Sequence, residues 1–195
     1  LPPPPAASVG QTYTLTSGVD VLTGTSGDDT FIADNTGAAK QLSVADQING
    51  GSGTDTVKVF LAAADTTTGQ PTFTSIETMY INGGAITAYS AATGTTGLII
   101  DAPVALTNAT YTLDGNQKIT LQNSALTAST ATAMTTTIAA TATATATVLD
   151  LTLNKCTYSG TDTQVIDVSA AKVATLNITA TGTASKIASF TNTGA

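Results

Sequence analysis

The chain has no histidine, no arginine and no tryptophan, and one cysteine among 195 residues. Each absence closes a class of chemistry. Without His there is neither the usual general base near neutral pH nor the usual zinc ligand. Without Arg, six lysines are the only side-chain cations, and nothing offers the bidentate donors or basic patch that nucleic-acid binding needs. Attraction to anionic membranes fails on the same ground, and no apolar run approaches the length of a membrane span. Cys156 cannot form an intrachain disulfide and is expected as a small buried apolar residue. It has no His or Arg neighbour to activate it as a thiolate. An enzyme built from these residues would have to run on carboxylates, and the nine aromatics are too scattered to line a sugar cleft for that purpose. No catalytic activity is expected.

What is present points elsewhere. Hydrophobic residues make up 42% of the chain, so a core can form, and it must be built from Val, Ile, Leu and Ala. Threonine occurs 43 times, and a β-branched residue suits a pleated surface. Net charge is −7 with a pI near 4.1, which makes metal cations the natural partners. Short apolar clusters recur at 13–15, 57–61, 79–81, 98–100, 104–106, 111–113, 119–121, 148–153, 165–168, 174–178 and 187–190. Each is too short for a helix and is bounded by turn residues. SAAKVATL (169–176) is the best helical window and SVADQI (43–48) a weaker one. Residues 1–11 read as a Pro-rich extended arm or linker. Residues 12–60 carry glycine–aspartate repeats, and 61–195 form a Thr/Ala-rich all-β segment. Within the latter, TATATATV (141–148) alternates as a strand does; a flexible low-complexity loop is the alternative. The first residue is not Met, which suggests a processed product or a piece of something longer. N-A-T (108–110) and N-I-T (177–179) fit a glycosylation acceptor pattern that so Thr-rich a chain produces by chance.

The repeats carry the chemistry. GGSGTDTVK (50–58) fits G-G-x-G-x-D-x-U-x, with U a large apolar residue, at every defined position. GTSGDDTFI (24–32) fits with Thr25 in place of the second Gly. SGVDVLT (17–23) and ADQIN (45–49) supply the later positions through Asp20 and Leu22, and Asp46 and Ile48. Four registers thus form two tandem pairs separated by eight residues, 33–40. Glycines let carbonyls converge without side-chain obstruction, and calcium takes six to eight oxygens. Stacked loops would otherwise gather carboxylates with no basic partner between them. Ordinary Gly-Asp turns between hairpin strands are the alternative, and they leave the shared nine-residue phase unexplained.

The pattern resembles the RTX nonapeptide, which is associated with calcium and a parallel β-helix. The resemblance covers about residues 15–58. It implies an all-β, parallel β-solenoid of β-roll type, with calcium (Ca2+) bound near the N-terminal end. It also implies Asp29 and Asp55 as ligands from one pair of stacked loops, Asp20 and Asp46 from the other. Carbonyls near Gly24, Ser26, Gly50 and Ser52 would complete the shells, with Asp28 and Asp34 as helpers. TSIETMYINGG and the clusters after it look like bacterial surface-layer proteins and large secreted adhesins. The expectation is therefore a secreted structural module of a bacterial cell surface that assembles with copies of itself into a layer, sheath or filament. An adhesin with a cell-surface glycan ligand, an ice-binding solenoid, and the non-catalytic part of a larger secreted protein are the alternatives. Glu77 is expected as a cap or turn acceptor, and Asp101, Asp114, Asp150, Asp162 and Asp167 in solvated or turn-forming roles.

Overall fold

A computed structural model describes residues 8–65, 71–85, 88–90, 92, 94–104, 109–113, 117–127, 134–140, 148–159, 164–168, 173–182, 185 and 189–191. Most of the expected arm, residues 141–147 of TATATATV, Asp114 and Asp162 lie outside them. The described chain is a parallel β-solenoid with no helix. No helix is therefore long and apolar enough to cross a membrane among the described residues.

One wall is an eight-stranded sheet that holds β1 (Thr12–Thr14), β3 (Thr30–Asn35), β5 (Thr56–Leu61), β7 (Thr78–Gly83), β9 (Gly97–Asp101), β11 (Gln117–Gln122), β14 (Val148–Asn154) and β17 (Thr175–Thr181), in that order. Opposite it, the first rungs place β2 (Val21–Thr23), β4 (Gln47–Asn49) and β6 (Thr72–Thr74). Later rungs place β8 (Ala88–Ser90), β10 (Ala109–Leu113), β13 (Met134–Ala140), β16 (Gln164–Val168) and β18 (Ser189–Thr191). From β11 onward a third side appears, made of β12 (Ala125–Thr127) and β15 (Thr157–Ser159). Parallel neighbours need a crossover, and here each crossover is itself a strand on another wall.

Period-2 alternation fixes which residues enter the core. Phe31, Val57, Met79, Leu98, Ile119 and Leu151 stand in one inward column; Ala33, Val59, Ile81, Ile100, Leu121 and Leu153 stand in the next. All twelve are buried. Leu22 and Ile48 face inward from the opposite wall, as their place two residues after an Asp implies. The big sheet and its core run unbroken from β5 into β7, so segments 12–60 and 61–195 share one core. Cys156 is buried and unpaired with another thiol, as expected.

Of the eight residues between the two repeat pairs, 33–35 complete β3 and 36–40 leave the rung as a loop. Asn35 closes it, its Oδ1 accepting the amides of Gln41 and Leu42 at 2.8 Å each. Lys40 ties the loop to Asp65 at 2.8 Å. Three local expectations need correction. Residues 43–48 are not helical: Ser43 and Asp46 bond each other's backbone and side chains, making a turn before β4. Of the window 169–176, residues 169–172 fall outside the described residues, while Thr175 and Leu176 belong to β17, because pairing with β14 extends the ladder there. Val104 lies outside any strand and is exposed; 105–106 fall outside the described residues.

Candidate metal centre

Asp20, Asp29, Asp46 and Asp55, at the pattern's aspartate position, are all buried and stand in two columns along the solenoid axis. In the first, the Gln11 amide donates to Asp29 Oδ1 (2.6 Å), the Asp29 amide to Asp55 Oδ1 (2.7 Å), and the Asp55 amide to Glu77 Oε2 (2.7 Å). In the second, the Asp20 amide donates to Asp46 Oδ1 at 3.0 Å. The structure thus sets Asp29 beside Asp55 and Asp20 beside Asp46. Glu77 extends the first column into a third rung. A signal for this lies in the sequence: Gln11-Thr12-Tyr13, Asp29-Thr30-Phe31, Asp55-Thr56-Val57 and Glu77-Thr78-Met79 share one pattern. Parallel pairing puts their threonines in a single outward row.

The four aspartates differ in what satisfies them. Four residues before Asp20 and Asp29 sits a threonine, and three before Asp46 a serine. The amides of Thr16, Thr25 and Ser43 reach their carboxylates at 2.8, 2.5 and 2.8 Å, and the hydroxyls at 3.0–3.1 Å. At Asp55 the matching position is Gly51, which has no hydroxyl and gives its amide to Asn49 Oδ1 (3.1 Å). Asp55 Oδ2 is fully buried and has no hydrogen-bond partner. The one loop that fits the nonapeptide at every defined position is the one whose carboxylate is left bare.

Electrostatics follow this division. Burial pushes the Asp29 carboxyl upward, but hydrogen bonds from Gln11 and Thr25 outweigh it and hold it below the ordinary range. Burial also pushes Asp55 upward, and there the Asp29 amide is not enough. The charges of Glu77, Asp29 and Asp28 push it further, so it stays raised. Every charge that reaches Asp55 is negative.

A backbone carbonyl sits near each first-column aspartate, one rung apart. A Cβ on Gly24 would collide with the Gly50 carbonyl oxygen and Asp29 Oδ2; one on Gly50 would collide with the Ser75 carbonyl oxygen and Asp55 Oδ2. Gly51 and Gly53, at φ +97° and +124°, shape the loop crest beside them. Ser26 and Ser52 stand exposed on the loops, and the Ser52 amide bonds the Thr25 carbonyl (3.2 Å). Sequence reasoning did not single out Ser75, because its rung lacks the glycine pattern. Asp28 is exposed and accepts the Thr54 amide (2.8 Å). Asp34 caps the insertion loop through Thr36 (2.9 Å to its amide) rather than joining either column.

No three carboxylate, thiol or imidazole groups converge as a ligand set among the described residues. A cation held here would take much of its shell from carbonyls. The donors are all oxygen, a bare buried carboxylate oxygen and carbonyls brought close by glycine, the ligand type that hard cations such as calcium take. Asp101, expected in a solvated or turn-forming role, is instead buried. Tyr80 donates its hydroxyl to it and Asn123 its side-chain amide (2.7 Å). Burial raises its carboxyl, yet these donors, with Gln122 and Asn82, hold it below the ordinary range. Asp150 lies in mid-strand and accepts from Asn177 (2.7 Å). Compared with known proteins, no family model matches the chain, and no curated protein or solved structure matches it either.

Proposed function

We propose that this chain is a non-catalytic structural module of a bacterial cell surface, secreted, stabilised by calcium and assembling with copies of itself. The observation that carries the calcium reading is Asp55 Oδ2, buried and unpartnered, on a carboxylate that feels the negative charges of Glu77, Asp29 and Asp28. A bare acceptor of this kind costs folding energy, and a cation converts the cost into attraction. Asp55 would be the chief side-chain ligand, with the Ser75 carbonyl, which meets the same face of Gly50, as a backbone donor. Asp20, Asp29 and Asp46 already have donors, so one strong site is expected rather than several equal ones. When bound, calcium supplies no chemistry beyond neutralising charge and tying rung to rung.

The structural role rests on long parallel ladders, Thr-rich outer rows and the absence of His and Arg. Ice binding would be favoured by two adjacent threonine rows. Here the row Thr12–Thr30–Thr56–Thr78 is flanked by Thr14, Ile32, Lys58 and Tyr80, which are mixed in size and charge. One observation favours a second reading, adhesion to a cell-surface glycan. A groove of about 240 Å³ crosses β2, β4 and β6, lined by Thr23, Gln47, Asn49, Thr72 and Thr74. Electron microscopy and light scattering of the purified chain separate the two. Ordered layers or filaments in calcium support assembly; a monomer at every concentration that binds glycan, and loses binding on Asn49→Ala, supports adhesion.

A further inference from the structure

The eight-stranded sheet has two ends, and they match. β1 and β17 are its first and last strands, with β3 and β14 as their respective strand partners among the described residues. β17 is exposed along most of its length. Ile178, which continues the inward column from Phe31 to Leu151, keeps 48% of its surface in water. Natural sheets blunt such edges with Lys, Pro or inward-pointing charge. Neither Thr12–Thr14 nor Thr175–Thr181 contains a charged residue or a proline.

We propose that copies of this chain stack head to tail, β17 of one pairing in parallel with β1 of the next. This rests on the assembly reading above and names its interface. All pairings in the sheet are parallel, so the free side of β17 continues the sense that the free side of β1 requires. A two-fold pairing of β17 with itself would either reverse the strand direction or turn the core face outward. Carrying the existing register onward sets Asn177 beside Thr12 of the partner subunit, Ile178 beside Tyr13 of the partner subunit and Thr179 beside Thr14 of the partner subunit. The fit is chemical as well as topological. Tyr13 lies flat on Phe31 (centroids 4.9 Å apart, planes 11° apart) and is only partly buried, so its other face is the natural cover for Ile178. Thr14 of the partner subunit would lengthen the outward row Thr120–Thr152–Thr179. Such a contact is heterologous and does not close on itself, so it builds a filament.

The test uses the intact chain in calcium. Parallel neighbours lie about 4.8 Å apart, within the span of a disulfide. The double variant Thr14→Cys, Thr179→Cys should therefore give, on mild oxidation, a reducible ladder of dimers, trimers and longer species. Each single variant should give none. Ile178→Lys, at a half-exposed position, should keep the circular dichroism of the wild type and raise the concentration needed for assembly at least about tenfold, the free-energy scale of one good hydrophobic contact. Assembly that persists without the ladder and ignores Ile178→Lys overturns this interface and leaves the assembly reading standing. Strong dimers from Thr179→Cys alone also overturn it, in favour of a β17–β17 contact. A wild-type chain that stays monomeric overturns both.

Discussion

Replacing Asp55 with Asn keeps the side chain's shape and removes its charge, which makes opposite predictions with and without calcium. In chelator, the wild type holds a buried carboxylate oxygen with no donor, pushed further by the charges of Glu77, Asp29 and Asp28. An unsatisfied buried polar group costs about 1–3 kcal/mol. The Asn side chain retains an oxygen for the Asp29 amide, now 2.7 Å from Asp55 Oδ1, and turns its NH2 toward the Ser75 carbonyl beside Gly50. The metal-free variant should therefore be the more stable protein, by roughly 2–12 °C in melting temperature for a chain of this size. The pH dependence has a definite sign. Asp55 is raised in the fold, so its favourable contribution is present below the unfolded value near 4 and is lost as pH rises through the folded one. The advantage of the variant should accordingly be full above the folded value of Asp55 and shrink as the pH falls through it toward about 4. In calcium the order reverses. Ligand at a hundred times its Kd adds about 2.7 kcal/mol to the wild type, and the variant forfeits most of that. Thermal melts of both proteins, in chelator and in calcium, read all four states. A variant that is weaker by the same amount in both conditions would refute the reasoning.

Gly50→Ala should destabilise strongly, by several kcal/mol or to the point of not folding, because its Cβ meets the Ser75 carbonyl and the Asp55 carboxylate. Gly37→Ala, with open space around it, should change the urea midpoint little. Tyr111→Phe should raise stability by about 1 kcal/mol or more, since the Tyr111 hydroxyl is fully buried without a partner; a loss would mean that the hydroxyl has one. Asp29 and Asp101 are held low in the fold, so their stabilisation is present above about pH 4 and lost as pH falls through their folded values. Urea titrations of the calcium-free chain carrying Asp55→Asn should show the midpoint dropping as pH falls below about 4.

Much of the N-terminal architecture was legible in the chain itself. The D-x-U phase orients Leu22, Phe31, Ile48 and Val57, and the structure turns each of them inward. Short clusters such as VKVFL and VLDLTL became β5 and β14 because alternation at period 2 survives any loop length between rungs. What escaped depends on neighbours distant in sequence. Glu77 completes a carboxylate column only because parallel pairing brings it level with Asp55, 22 residues away. Asp101 is buried through donors on β7 and in the turn after β11, which no local pattern marks. The short strands β6, β8, β12 and β15 have three residues each and owe their existence to the ladder beside them. The bare state of Asp55 needed two facts at once: a glycine where the other loops carry a hydroxyl, and the direction of that glycine's amide.

In the proposed reading, the first rungs are built around a calcium ion. The most direct measurement is amide hydrogen exchange of the intact chain, with melting followed in parallel, in chelator, calcium and magnesium. A site absent from the unfolded chain couples metal binding to folding. Chelator should lower the melting temperature and speed exchange across residues 15–58. Calcium should restore both, and magnesium, which demands rigid octahedral geometry, should do so poorly. Identical exchange and identical melting in all three would contradict the calcium assignment.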